Sequence, residues 1–164
     1  MTVSPVLPLL FLAGLSEAAG RVLPLVAHRP GVSRKFVIGL LLAGALVEGA
    51  VFALWPLTTL TLAELVQGAP AAAPTEFVWT PELIAPLMLA AVLAFPLLGP
   101  LLHLLLFIGV GAGLSDSLAS ATGLGWWTAV GCVTVAGVGL GVTSEGVRRL
   151  VARISTTGRR EAMA

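Results

Sequence analysis

Acidic residues are scarce in this chain, and their spacing is the first feature that could carry chemistry. Asp and Glu together number eight among 164 residues. Four of them stand in two segments that match. Ala13-Gly14-Leu15-Ser16-Glu17 recurs as Ala112-Gly113-Leu114-Ser115-Asp116, and Gly44-Ala45-Leu46-Val47-Glu48-Gly49 corresponds to Gly141-Val142-Thr143-Ser144-Glu145-Gly146. The two acidic positions lie 31 residues apart in the first half and 29 in the second. Two matches in the same order, each ending on a rare acidic residue, point to an internal repeat over residues 13–49 and 112–146. The surrounding sequence is apolar. Ionisable groups in hydrocarbon are costly, and they mark ion pathways, proton relays or internal pairs.

Each candidate has a plain structural alternative. Glu17 is followed by Arg21 at i+4, the favourable order for a helical ion pair. Such a pair binds an ion, or it simply neutralises Glu17 while Arg21 snorkels toward the headgroups. Glu48 has no basic residue within a turn. A carboxylate alone in an apolar span favours its neutral form unless it finds a cation, which is the behaviour that a proton- or cation-coupled carrier needs. Glu48 is therefore the leading ion- or proton-binding candidate, with Glu17, Asp116 and Glu145 as its repeat-related partners. Asp116, beside Ser115, also suits a helix end at an interface. Glu145 has Arg148 and Arg149 within one turn, so a surface ion pair explains it equally simply. Glu82 follows Pro81 at a helix start, where a carboxylate complements the dipole. His103 would act as a relay only if it approached Glu48; a lone histidine is more often a packed residue.

These residues must be positioned by membrane-spanning helices. The hydrophobic share is 57%, charged residues make up only 10%, and the mean hydropathy is +1.02. Soluble domains carry about 25% charged residues, so this chain could not cover a water-facing surface. A soluble enzyme and a disordered chain are excluded. So is nucleic-acid binding, because the formal net charge is +1 and the basic residues sit in two short clusters. The single cysteine, Cys132, cannot form an internal disulfide framework, and no His/Cys/Asp group has metal-ligand spacing. VGVGAG and GVGLG lack the preceding strand that a dinucleotide site requires, so no cofactor is implied. Gly109-x3-Gly113, Gly137-x3-Gly141 and Ala45-x3-Gly49-x3-Ala53 read instead as small-residue faces for close helix packing.

A spanning helix needs about 20 mostly apolar residues. Spans are expected at about 4–27, 36–57, 80–98, 100–118 and 126–150. The first has no basic start or cleavage-like site and reads as retained. Trp55, Trp126 and Trp127 serve as interfacial aromatics. Residues 58–67 extend the second helix or lie at the interface; residues 68–74 form a loop, and FPLLGP marks a turn. The expected class is an all-α integral membrane protein of five transmembrane helices, with four as the alternative. Five spans put the basic loop containing Arg29, Arg34 and Lys35 on the same side as the Arg148–Arg160 end. By the positive-inside tendency that side is cytoplasmic and the N-terminus is outside. The repeat would then be inverted, as in many small secondary transporters.

The chain lacks Asn and Tyr, and Arg outnumbers Lys eight to one. That codon bias points to a GC-rich bacterial genome, hence to the inner membrane. The function expected is a small transporter or channel, proton- or cation-coupled and homo-oligomeric. The rival is an accessory subunit of a larger membrane complex with no chemistry of its own. Its Arg-rich tail would suit anionic lipid or an acidic partner. A membrane enzyme is a distant third, since only carboxylates could supply its reacting groups.

Overall fold

Long apolar runs punctuated by few turn signals fold as helices in the computed structural model. It describes residues 6–27, 31–68, 79–93 and 99–161; side chains beyond residue 150 lie outside that description. The described residues form five helices and no strand: α1 Val6–Ala27, α2 Arg34–Gln67, α3 Pro81–Leu93, α4 Gly99–Thr122 and α5 Trp126–Glu161. Four carry stretches long and apolar enough to cross a membrane: Val6–Pro24, Arg34–Gln67, Leu104–Thr122 and Trp126–Leu150. The exception is α3. Its 13 residues cover only about 20 Å at 1.5 Å per residue, short of a bilayer core about 30 Å thick. The rest of the span expected at 80–98, including most of the FPLLGP turn, lies outside the described residues, as does nearly all of the loop expected at 68–74.

Two helices outrun their expected ends. The second helix continues unbroken through residues 58–67. It starts at Ser33, whose hydroxyl accepts the Phe36 N–H at 3.3 Å, and stops at Gly68. Gly68 adopts φ 68°, left-handed backbone suited to a residue without Cβ, and its N–H bonds the Glu64 carbonyl. The fifth helix runs eleven residues past the expected end at 150, so the basic tail is helical as far as Glu161.

Pairwise contacts give the helix directions. Gly14 packs on Ala45 and Gly49, and Gly44 on Ala18, so α1 and α2 are antiparallel. A Cβ on Gly14 would overlap the Ala45 carbonyl oxygen; the glycine is what lets the two backbones touch. Trp55 meets Val133 while Glu48 meets Arg148, which makes α2 and α5 antiparallel. The Phe52–Phe107 ring pair and the Gln67–Thr122 hydrogen bond share one register, so α2 and α4 run parallel. The C-terminal end of α1, the start of α2 with Arg34 and Lys35, and the C-terminal end of α5 therefore lie at one end of the bundle.

The core is largely aliphatic, with Phe52, Trp55 and Trp79 buried beside one proline. Pro56 lacks an N–H, so the carbonyl of Phe52 four residues earlier loses its helical donor. The Trp79 indole N–H takes that place at 2.8 Å. Trp55 donates to the Val133 carbonyl at 2.9 Å, and its ring lies edge-on to Trp79 and stacked near Phe107. Trp55 is thus a buried core residue rather than the interfacial anchor expected of it. Its fit requires Gly137, where a Cβ would press on the indole. Trp126 and Trp127 are exposed, as anchors would be.

The two halves with matching motifs have unlike surroundings. Gly14 is pinned against α2, whereas its counterpart Gly113 faces Leu83 of α3. Gly44 touches Ala18, while its counterpart Gly141 faces open space.

Candidate functional site

Glu17 on α1 and Glu48 on α2 are brought together because small residues hold these helices in close contact. Both are buried, with side chains 8% and 9% exposed. One turn after Glu17, the same face of α1 presents Arg21. Its guanidinium donates from Nε and Nη2 to Glu17 Oε1 at 3.0 and 2.7 Å, and from Nη1 to Glu48 Oε1 at 3.1 Å. The i,i+4 pair expected from sequence exists, but it is also a bridge between helices.

A second cation reaches Glu48 from α5. Arg148 Nη2 lies 3.4 Å from Glu48 Oε1 and donates to the Ser144 hydroxyl at 2.9 Å. Its Nη1 is 3.9 Å from Glu145 Oε2, too far for a hydrogen bond, and its Nε is buried with no hydrogen-bond partner. Glu145 pairs chiefly with Arg149, whose Nε donates to Oε1 at 2.7 Å. Among the described residues, three carboxylates and three guanidinium groups thus form one chain of charge across α1, α2 and α5, and their charges balance. That balance is what an apolar environment tolerates.

Glu48, expected to be neutral unless it found a cation, meets two, so the isolation that singled it out in the sequence is absent from the fold. Its partners are 27 and 100 positions away in the chain, so local spacing carried no sign of them. Arg148 was expected at Glu145 and lies nearer to Glu48. Asp116 stands apart from this cluster. It is exposed at the other end of α4 and accepts the Trp126 indole N–H at 2.6 Å. His103 falls within α4, and its side chain lies outside the described residues. Cys132 is a buried free thiol.

The charged cluster closes one end of a cavity of about 520 Å³ lined by α2, α4 and α5, with Glu17 and Arg21 of α1 at the charged end. The wall is otherwise apolar apart from Ser115, Thr134 and Ser144, and includes Phe52, Trp55 and Phe107. The α5 side of the wall runs at helical intervals from Trp126 to Arg148. That is about 33 Å of helix at 1.5 Å per residue, so the space is elongated along α5 and partly open to its surroundings. Volumes of roughly 300–1,000 Å³, mostly apolar with a few convergent polar groups, are typical of small-molecule sites. No protein-family model matches the chain, and no curated protein or solved structure matches it.

Proposed function

We propose that this chain is a small multi-pass membrane carrier or channel in which Glu48 takes up and releases a proton or cation. The observation that supports this reading is the placement of Glu48. It is a buried carboxylate at the charged end of a cavity, and because arginines from two other helices favour its charged form, it takes up a proton or cation only when those arginines are drawn away. Neutralising Glu48 with a proton or cation would remove its attraction to Arg21 of α1 and Arg148 of α5. Each attraction is worth about 5 kcal/mol before screening, for unit charges 3.1–3.4 Å apart at an effective dielectric near 20. A change of charge at one atom would then alter contacts on three helices, as a coupled carrier requires. Glu17 and Glu145 act as the fixed counter-charges of Arg21 and Arg149. We place the protein in a bacterial inner membrane, with the end bearing Arg34, Lys35 and Arg149 in the cytoplasm and the N-terminus outside. A homo-oligomer is part of the proposal, because small-residue surface on α5 faces outward and would suit a neighbouring copy.

The test is reconstitution of the purified chain in liposomes with a pH- or cation-sensitive dye inside. Glu48→Gln is expected to abolish flux while the detergent-purified particle keeps its size. Unchanged flux in that variant would refute the role of Glu48.

A second reading, an accessory subunit, gives that surface a different occupant. Gly131, Gly139 and Gly146 on α5 face open space, leaving small-residue surface free for a neighbouring helix. Mild-detergent purification separates the two readings. Stoichiometric co-elution of other membrane proteins supports the subunit; a stable particle of this chain alone supports the carrier.

A further inference from the structure

We infer that the cavity between α2, α4 and α5 binds a single-chain anionic amphiphile, with its acidic head on Arg148 and its apolar chain along α5. The inference deepens the carrier reading by naming its substrate class, and it rests on that reading for its link to Glu48.

Three observations carry it. The first is extent: the cavity of about 520 Å³ is lined along α5 from Trp126 to Arg148, long enough for an extended alkyl chain. The second is the wall, where Phe52, Trp55, Val133 and Val138 supply apolar surface and Gly141 leaves the α5 side open. The third is the head. Arg21 is fully engaged by Glu17 and Glu48, whereas Arg148 makes one hydrogen bond, to Ser144. Its Nε is buried without a partner, and its Nη1 has only the 3.9 Å approach of Glu145. A guanidinium offers five N–H donors in a fork that fits a carboxylate or phosphate with two parallel bonds. Arg148 thus brings unspent donors and a positive charge to the end of an apolar cavity.

Glu48 competes with the ligand for this arginine. At 3.4 Å it holds Arg148 loosely, and an incoming anionic head would displace it. Binding of the anion and neutralisation of Glu48 therefore favour each other. The acid would enter with a proton or cation taken up at Glu48, and the pair would leave together.

The test uses the purified full-length chain in maltoside micelles and 11-(dansylamino)undecanoate as the probe, read by fluorescence at equilibrium with no gradient. The matching uncharged dansyl alcohol serves as control. The carboxylate is expected to bind at least tenfold tighter than the alcohol. Arg148→Gln should remove that preference while leaving the alcohol's affinity unchanged. Glu48→Gln should tighten carboxylate binding severalfold. Gly141→Leu adds bulk to the cavity wall at a position where nothing lies within 4 Å of a Cβ, and should weaken both probes. Equal binding of the two probes by the unsubstituted chain, or a carboxylate preference that survives Arg148→Gln, overturns the inference. Palmitate should displace the probe and phosphatidylglycerol should not; displacement by the phospholipid alone overturns the single-chain assignment. The readout is independent of ion flux. Flux that survives Glu48→Gln with binding still dependent on Arg148 would refute the carrier mechanism and keep the site. Flux lost in Glu48→Gln with no probe preference would do the reverse.

Discussion

Replacing Glu48 by Gln keeps the shape of the side chain and removes its charge, so it isolates what that charge does for the fold. Glu48 Oε1 accepts from Arg21 at 3.1 Å and faces Arg148 at 3.4 Å. Two attractions of about 5 kcal/mol each at an effective dielectric of 20 look large. Both arginines, however, are about two-fifths exposed, so solvent screens them, and burying the carboxylate itself costs several kcal/mol. Hydrogen bonds to charged groups contribute a net of about 1.5–3 kcal/mol, and the amide still accepts one bond. The expected loss for Glu48→Gln is therefore about 2–3 kcal/mol. Arg21 keeps Glu17 after the change, whereas Arg148 keeps only Ser144 and a distant Glu145. A second substitution, Arg148→Gln, should then cost little in the Glu48→Gln background. The two changes together should fall short of the sum of the single effects by about 1–2 kcal/mol. Reversible unfolding in mixed micelles measures all four corners of this cycle. Additivity to within about 0.5 kcal/mol would mean that the α2–α5 pair contributes nothing, and would refute the account of the cluster.

The packing makes three further predictions. Gly14→Ala forces a methyl group into the α2 backbone and should cost roughly 2–3 kcal/mol, while Gly139→Ala, which faces open space inside α5, should be neutral or stabilise by up to about 1 kcal/mol in the same unfolding assay. Trp79→Phe strands the buried Phe52 carbonyl and should cost about 1–3 kcal/mol; adding Pro56→Ala restores a backbone donor to that oxygen and should recover part of the loss. In a Cys132→Ser background, Lys35→Cys and Arg149→Cys should react with an impermeant maleimide from one side of a sealed vesicle, and Gln67→Cys and Thr122→Cys from the other. Labelling of Lys35→Cys and Gln67→Cys from the same side would refute the transverse placement of α2.

Much of the architecture was legible in composition and hydropathy, because an apolar chain must satisfy its backbone within helices. Five helices, their approximate positions and the Glu17–Arg21 pair all follow from local rules. The length of α2 was harder to read, since residues 58–67 are less apolar yet continue the helix. The roles of Trp55 and Trp79 were hidden because each answers a distant need. Trp79 supplies a donor that Pro56 withholds, and Trp55 fits against a glycine 82 residues away. The matching motifs likewise did not foretell matching contacts, for Gly113 and Gly141 meet different neighbours from Gly14 and Gly44.

The sequence by itself determined that the chain is helical and apolar, and that a few carboxylates carry most of its chemical interest. Those properties depend on residue type and on neighbours within a turn. Only the tertiary structure decided that Glu48 is doubly paired, that Asp116 stands apart, and that Arg148 lines an apolar cavity with its Nε unpartnered. Each depends on which faces of α1, α2, α4 and α5 meet. Helix contact in an apolar chain is set by where glycine and alanine let backbones approach, and that three-dimensional fit has no signature in local spacing.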